Sequence, residues 1–315
     1  MEIYNPEYDF FPCINILGIG TTGANASDYF GKVADDIFPA RLIISDKEAD
    51  LRAKISDFII DETLWLFVIA DIGDLKLAKK VAECIEEAKK LPTAPSIDIP
   101  SFSAPPKLIY TEESQFPTIS FNHADLISKE FKLPLVTFLV SCPSAEDVRL
   151  ADIPDSFSTW IILPEDKIDE SGLTKNAAIY RAVNMTTSIC PILKKHDNII
   201  GMDFAEIPRT IGNAGRACIG FGESLAAENN SLAAVKNALK SPLFIEDIGK
   251  AKKCLLVFVG KVEFLSMLEM NEAATFLDEL RQADGDDITL WQVDLDEPFD
   301  KDGVAAFILA TDFEE

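Results

Sequence analysis

The sequence predicts an α/β protein with a parallel-sheet domain, a long central helix and a smaller α+β domain at the C-terminal end. Three observations predict this class. A glycine-punctuated junction between a strand and a helix lies near the start, apolar strands alternate with helical or loop crossovers in the first half, and helices alternate with strands in the second half. We therefore expect domain boundaries at 1–172, 173–199 and 200–315.

Composition restricts the class of protein. The chain has 315 residues, 48% of them hydrophobic, which is enough for two domains with cores of their own. It has no apolar run of the roughly eighteen residues that a membrane span needs, and its start lacks the basic and apolar regions of a signal peptide. We expect a globular, cytoplasmic protein with no membrane span.

Charge and cysteine content restrict the partners. The 29 basic residues against 53 acidic ones give a net charge of −24, which repels nucleic acid and anionic lipid. A phosphate-bearing ligand would therefore need backbone amides and a divalent cation. The six cysteines are scattered singly through apolar stretches, so we expect no metal site and buried free thiols at Cys13, Cys84, Cys142, Cys190, Cys218 and Cys254.

The first glycines predict a phosphate-binding turn. A short apolar run is followed by Gly18, Gly20 and Gly23 and then by a helical pattern. These glycines let the backbone approach an anion, and the new helix directs free N–H groups towards it. The pattern favours a Rossmann-like nucleotide-binding domain, although tight turns share the spacing. A second strand, Arg41–Ile44, ends at Ser45, where either ribose contacts or a solvated turn would lie.

Further elements follow in alternating order through the first half. A proline-rich segment, 91–131, cannot form a continuous helix and is predicted as an inserted loop with one edge strand at 107–110. Around it we expect a helix at Leu75–Lys90 and buried strands at Leu64–Ala70, Leu135–Val140 and Thr159–Leu163.

The second half begins with the central helix. Between that helix and the last elements, the stretch 196–222 combines the acids Asp203 and Glu206, at the start of a predicted helix, with a glycine turn at 212–215. The other patterns predict helices at Leu173–Leu193, Leu225–Leu239 and Met270–Leu280, and strands at Lys253–Val259, Ile288–Val293 and Val304–Ala310.

Several segments resemble FtsZ, the bacterial tubulin homologue. MDFAEIPRTIGNAGRACIGFG at 202–222, KCLLVFVG at 253–260 and FILATDF at 307–313 are similar to its C-terminal half, and INILGIGTTGANA at 14–26 is similar to its first phosphate-binding loop. The resemblance is strong from 158 to 313 and patchy before that. It implies an FtsZ/tubulin-like fold.

The resemblance also implies a shared active site. In the family GTP lies on the N-terminal domain, and subunits join head to tail so that an acidic loop of one subunit completes the site of the next. Here that loop is 201–206, with Asp203 and Glu206 as the catalytic carboxylates that orient water near a Mg²⁺-bound phosphate. In the alternative, these acids only cap a helix. The expected partner is a second copy of the chain or another FtsZ-like subunit.

Candidate nucleotide-binding residues carry over position by position. Thr21 and Thr22 stand where the family has glycines, and Asn176 falls where the family has the acid that reads guanine. The resemblance places ribose contacts near Glu146 and Arg149. The full set is Gly18, Gly20, Thr21, Thr22, Gly23, Asn25, Ser45, Gly73, Glu146, Arg149 and Asn176.

One loop departs strongly from the family. Where the family carries G-G-G-T-G-T-G, this chain has ADIGDLKLA at 70–78, and only Gly73 remains of the glycines. Asp71 and Asp74 bring negative charge to the place of a triphosphate, at roughly 1 kcal/mol per charge pair in water and several times more in a partly buried site. We expect weak or absent binding of GTP or GDP with Mg²⁺, with a metal bridging the two acids as the alternative.

Three functions remain open from the sequence. The first is a divergent FtsZ/tubulin-like cytoskeletal or cell-division protein that has lost most nucleotide hydrolysis and acts as a filament scaffold or modulator. The second is an active GTPase of this superfamily with a remodelled phosphate loop. The third is a small-ligand-binding or metabolic α/β protein that reuses the fold. The chain ends two residues after Phe313, so we expect no C-terminal tethering peptide.

Overall fold

The structure is a computed structural model. It describes residues 13–34, 40–45, 50–59, 63–89, 134–148, 153–154, 157, 159–188, 210–212, 214–225, 230–281, 288–294 and 302–313. The inserted segment 91–131 with its expected edge strand, and the acidic pair Asp203 and Glu206, lie outside these residues.

Nine strands form one continuous sheet in the order β2-β1-β3-β4-β5-β6-β9-β7-β8. Among the described strands, only β9 runs against the others. The strands are β1 (Cys13–Ile19), β2 (Arg41–Ile44), β3 (Thr63–Asp71), β4 (Leu135–Cys142), β5 (Thr159–Pro164), β6 (Gly215–Leu225), β7 (Ala251–Gly260), β8 (Ile288–Asp294) and β9 (Gly303–Phe313). This mostly parallel sheet with helices on its faces confirms the predicted fold class.

Helices cover both faces of the sheet. They are α1 (Gly20–Val33), α2 (Leu51–Phe58), α3 (Leu75–Ala88), α4 (Glu165–Glu170), α5 (Lys175–Ser188), α6 (Asn230–Leu239) and α7 (Met267–Arg281). Helices α1 and α5 pack on one face of the first five strands, and α2 and α3 pack on the other. Helix α3 shows the physical reason, because its buried residues recur three or four apart and form one apolar stripe: Leu77, Ala78, Val81, Ala82 and Ile85.

One hydrophobic core joins the two halves of the chain. It runs from Ile14 on β1, through Ala182 on α5, to Leu255 on β7 and Leu309 on β9. Strands β5 and β6 also pair across the predicted boundary between the halves. The division into three domains stays a prediction, since a shared sheet and core do not mark where one unit ends.

Several predicted boundaries were wrong. The expected helix Leu225–Leu239 is shorter, because Leu225 is the last residue of β6 and the helix begins at Asn230. Strand β6 was not predicted from the sequence, and its first residue, Gly215, was placed in the turn 212–215. Helix α3 ends at Ala88, before the predicted Lys90, and the central helix α5 begins at Lys175, two residues after the predicted start.

Candidate functional site at the carboxyl edge of the sheet

Four parallel strands end at one edge of the sheet. Strands β1, β3, β4 and β5 are neighbours in register, so their carboxyl ends lie side by side. The edge carries Gly20 after β1, Asp71 at the end of β3, Cys142 at the end of β4 and Glu165 directly after β5. In open α/β sheets, ligands bind outside the carboxyl ends of the strands, so this edge is the candidate site.

The predicted glycine turn joins β1 directly to α1. Gly20 is the first residue of α1 and has a φ of +63°, a conformation that a residue with a Cβ rarely adopts. Gly18 and Gly23 bring the strand and helix backbones into contact, and a Cβ at Gly23 would lie 2.7 Å from the carbonyl oxygen of Ile69. The backbone of this junction therefore has the form expected of a phosphate-binding turn.

A carboxylate lies against this turn. A Cβ at Gly20 would lie 2.7 Å from Cγ of Asp74, so the Asp74 side chain packs directly on the first residue of α1. Asp74 is placed there by a short helical turn, Ile72–Asp74, that connects β3 to α3. The N-terminus of a helix carries a positive partial charge, and here that charge faces an acid of the same chain.

Two backbone amides in the neighbouring loops are bonded to carboxylates of the protein itself. The amide of Gly73 donates to Oδ1 of Asp71 at 3.2 Å. The amide of Ser144, after β4, donates to Oδ2 of Asp147 at 2.9 Å, which closes a reciprocal cap with the Asp147 backbone amide. Anion sites in such loops are built from amides that point at the ligand. These two amides already have an anionic acceptor.

A lysine links two strand ends across the edge. Nζ of Lys175, the first residue of α5, lies 3.0 Å from Oδ2 of Asp71 and 2.7 Å from Oε1 of Glu165. Oδ2 of Asp71 also accepts a hydrogen bond from Oγ1 of Thr22 on α1, at 3.5 Å. Burial lowers the pKa of the Lys175 ammonium, but the hydrogen bonds to Glu165 and Asp71 outweigh burial and raise the pKa above its ordinary value.

The edge has a strongly negative electrostatic character. Cys142 is fully buried at the end of β4, and burial is the largest cause that raises the pKa of its thiol to about 12. The negative charges of Asp147, Asp71, Asp166 and Glu165 raise that pKa further. A thiol surrounded in this way stays protonated near neutral pH and is a poor nucleophile.

The structure brings only part of the predicted nucleotide set together. Gly18, Gly20 and Gly23 form the turn, and Thr22 and Gly73 bond to Asp71. The side chains of Thr21, Asn25, Ser45 and Glu146 are exposed, and Asn176 is half-buried as the second residue of α5. Arg149, Asp203 and Glu206 lie outside the described residues, so their assigned roles stay predictions.

The residues that the sequence reading missed are Lys175, Glu165 and Asp147. Their positions in the sequence gave only a weak indication that they belong to the site. Glu165 and Asp147 both follow strand ends, and Lys175 directly precedes Asn176, the position implied to read guanine. Their convergence depends on tertiary structure, since Lys175 and Asp71 are 104 residues apart in sequence.

In the part of the chain that the structure describes, no group of three or more histidine, cysteine, aspartate or glutamate side chains is arranged to hold a metal ion. Of the helices described, none is both long and apolar enough to cross a membrane.

Comparison with known proteins identifies the class of fold. The structure superposes on an FtsZ variant from M. jannaschii with a TM-score of 0.65 at 18% identity, covering 96% of this chain and 91% of the other. An empty FtsZ dimer from M. jannaschii gives 0.60 at 17% identity, covering 95% and 88%. A GTPγS-bound CetZ2 protofilament from Haloferax volcanii gives 0.62 at 12% identity, covering 96% and 94%. The fold is that of FtsZ and tubulin.

Comparison of sequences also finds similarity to FtsZ. The chain is 30% identical over 145 residues to the cell division protein FtsZ of Helicobacter pylori, a match that covers 44% of this chain and 37% of that protein. It is 27% identical over 139 residues to FtsZ 1 of Rhizobium meliloti, covering 42% and 23%. No family model matches the chain. The chain therefore has the fold of FtsZ, CetZ and TubZ, and 44% of it is similar in sequence to FtsZ, over about two fifths of the length of that relative.

Proposed function

We propose that this chain is a cytoskeletal or cell-division protein of the FtsZ/tubulin type in which GTP binding and hydrolysis are lost or weakened, and that it acts as a scaffold or modulator of filaments. The observation that carries the proposal is the carboxylate of Asp74, which packs on Gly20 at the N-terminus of α1. A helix terminus attracts phosphate through its free N–H groups and its dipole. A carboxylate held at the same place repels a phosphate.

The neighbouring loops support this proposal. A triphosphate would have to displace Asp71 from the amide of Gly73 and Asp147 from the amide of Ser144. It would then lie beside these carboxylates. Each pair of like charges at about 4 Å costs about 1 kcal/mol in water and about 4 kcal/mol at the effective dielectric near a protein surface. The residues present therefore fit a triphosphate poorly.

Assembly is the second part of the proposal. One related structure is described as an empty FtsZ dimer and another as a protofilament. We extend head-to-tail assembly to this chain, with a second copy or another FtsZ-like subunit as the neighbour. The loop 201–206, with Asp203 and Glu206, is the segment that we expect to meet the next subunit. An empty relative that dimerises supports assembly that does not need nucleotide.

The deciding experiment measures nucleotide in the purified, full-length protein. The protein is denatured and the supernatant is separated by anion-exchange chromatography, with an active FtsZ prepared in parallel as the control. We expect far less than one guanine nucleotide per chain. Sedimentation with and without GTP and Mg²⁺ should then give the same pelleted fraction.

Two results would overturn the proposal. Stoichiometric GTP or GDP with Mg²⁺ in the supernatant would establish the alternative, an active GTPase with a remodelled phosphate loop. The preserved backbone of the turn at Gly20, with its φ of +63°, is the observation that favours this alternative. A pelleted fraction that depends on GTP would also contradict nucleotide-independent assembly.

A further inference from the structure

A single ammonium group connects three separate elements at the carboxyl edge. Lys175 begins α5, Asp71 ends β3 and Glu165 begins α4, immediately after β5. The ammonium nitrogen lies within 3.0 Å of a carboxylate oxygen from each acid. Strand β4 lies between β3 and β5 in the sheet, so the bridge passes over the end of β4.

The surroundings of the bridge are partly closed to water. The side chains of Lys175 and Asp71 are 30% and 32% exposed, and that of Glu165 is 46% exposed. Ser141 pairs with Asp71 in the register of β3 and β4, which places the two side chains on the same face of the sheet. Its hydroxyl is buried and makes no hydrogen bond within the described part of the chain. Salt therefore weakens this bridge, although less than it weakens a fully exposed ion pair.

The bridge also fixes the orientation in which Asp71 accepts a hydrogen bond from the amide of Gly73. One oxygen of Asp71 binds Lys175 and Thr22, while the other accepts the hydrogen bond from the amide of Gly73. The orientation that serves Lys175 is therefore the one that keeps the loop amide bonded internally. Loss of the ammonium would release Asp71 from α5 and leave its charge without this partner.

We propose that Lys175 is a tethered cation of the candidate site: its ammonium group binds Asp71 and Glu165, and so holds the start of α5 against the ends of β3 and β5 without a diffusible ligand. The inference rests on the proposed loss of nucleotide binding and adds the group that holds Asp71 in place while Asp71 accepts from the loop amide. The bridge itself carries one excess negative charge, because one ammonium faces two carboxylates.

The test compares thermal unfolding of the full chain at low and high salt. Lys175→Met removes the bridge, and Lys167→Met removes a matched pair, Lys167 with Glu170, that stays within α4 and joins no other element. We expect Lys175→Met to lower Tm by about 2–5 °C and Lys167→Met to change it by less than about 1 °C. The difference between wild type and Lys175→Met should shrink at high salt.

Salt also relieves the general repulsion of a chain with a net charge of −24, and both Lys→Met variants lose one positive charge, so the informative quantity is the difference between the two variants. Lys175→Arg should keep most of the wild-type Tm because a guanidinium can also reach two carboxylates. Asp71→Asn and Lys175→Met should be non-additive in a double-mutant cycle, since both remove the same ion pair. Additive effects, or equal effects of Lys175→Met and Lys167→Met, would overturn the inference.

The proposed function and this inference fail in different ways. Bound guanine nucleotide in the purified protein would overturn the proposed function, whereas the coupling between Lys175 and Asp71 is measured without any nucleotide. An absent coupling in a nucleotide-free protein would overturn only the tethered cation.

Discussion

Three carboxylates at the carboxyl edge lie against backbone that the resemblance to FtsZ leads us to expect in contact with a phosphate. Asp74 packs on Gly20, Asp71 accepts from Gly73, and Asp147 accepts from Ser144. Asp71 and Asp147 lie two and three residues from the amides that donate to them. Asp74, in contrast, contacts a residue that is distant in sequence. Short-range acceptance of this kind is the usual behaviour of aspartate in turns. The edge is therefore stabilised by its own side chains.

The charge of Asp74 is open to a direct test. We expect Asp74→Ala to tighten the binding of GTP with Mg²⁺ by roughly tenfold, because removing one like charge recovers about 1 kcal/mol or more. Binding is measured by titration of a fluorescent GTP analogue. Asp57→Asn, an exposed acid on α2, is the control for the change in net charge. An equal gain in both variants would show that bulk charge, and not the position of Asp74, excludes the nucleotide.

Among the helices, α7 is attached to the sheet by its last residue. The side chain of Arg281 is almost fully buried, and its Nε donates to the carbonyl oxygen of Ala251 at 3.0 Å. Its guanidinium also donates to the carbonyl of Lys252 and pairs with Asp278. A buried guanidinium is tolerated only when its donors are bonded, so Arg281 fixes α7 to the start of β7.

Replacing this arginine should be costly. We expect Arg281→Met to lower the free energy of unfolding by about 2–3 kcal/mol, because the carbonyls of β7 lose a charged donor in a buried position. Urea denaturation followed by circular dichroism measures the change. Arg52→Met removes an exposed pair with Glu87 and should cost less than about 1 kcal/mol. Similar losses in both variants would contradict the role of burial.

Strand β6 shows where sequence reasoning failed at the level of elements. Its sequence, GRACIGFGESL, contains three glycines and few β-branched residues, so it resembles a loop. The glycines serve packing instead. A Cβ at Gly222 would lie 2.6 Å from the backbone carbon of Asn237, so the absent side chain lets α6 lie close on the strand. The central strands β3, β4 and β5 were predictable because they are continuously apolar.

At the scale of the whole molecule, the buried thiols should make the free energy of unfolding depend on pH in the alkaline range. Burial raises the pKa of the Cys218 and Cys254 thiols to about 12, against about 8.5 in an unfolded chain. Between these values the unfolded state has lost the thiol protons that the folded state keeps. The free energy of unfolding should therefore fall as pH rises, by up to about 1.4 kcal/mol per pH unit for each thiol.

Urea denaturation between pH 7.5 and pH 10 measures this slope. A variant with Cys218→Ala and Cys254→Ala is less stable at every pH because it leaves cavities, but its stability should fall less steeply. An unchanged slope in the variant would show that other groups dominate the pH dependence. The structure describes the side chains of four of the six predicted free cysteines, of which Cys142, Cys218 and Cys254 are buried and Cys84 is half-buried.

The fold was predictable from the sequence to a greater extent than the site was. Apolar strands and amphipathic helices carry their pattern locally, so the order of β1, α1, β2, β3, α3, β4 and β5 follows from the sequence, whereas the short helix α2 was not predicted. The acids Asp71 and Asp74 were recognised because they stand in a loop of known role in the family. Lys175 was missed because its partners lie on other elements, and no local pattern reports which side chains meet across a sheet.

The pairing of β5 with β6 has a mechanical consequence. These two strands share three residue pairs, from Thr159 with Gly215 to Ile161 with Ala217, whereas β6 and β9 share nine. When the two halves of the chain are pulled apart across the sheet, the load on a ladder is divided among its hydrogen bonds. The pairing of β5 with β6 is therefore expected to yield before the pairing of β6 with β9.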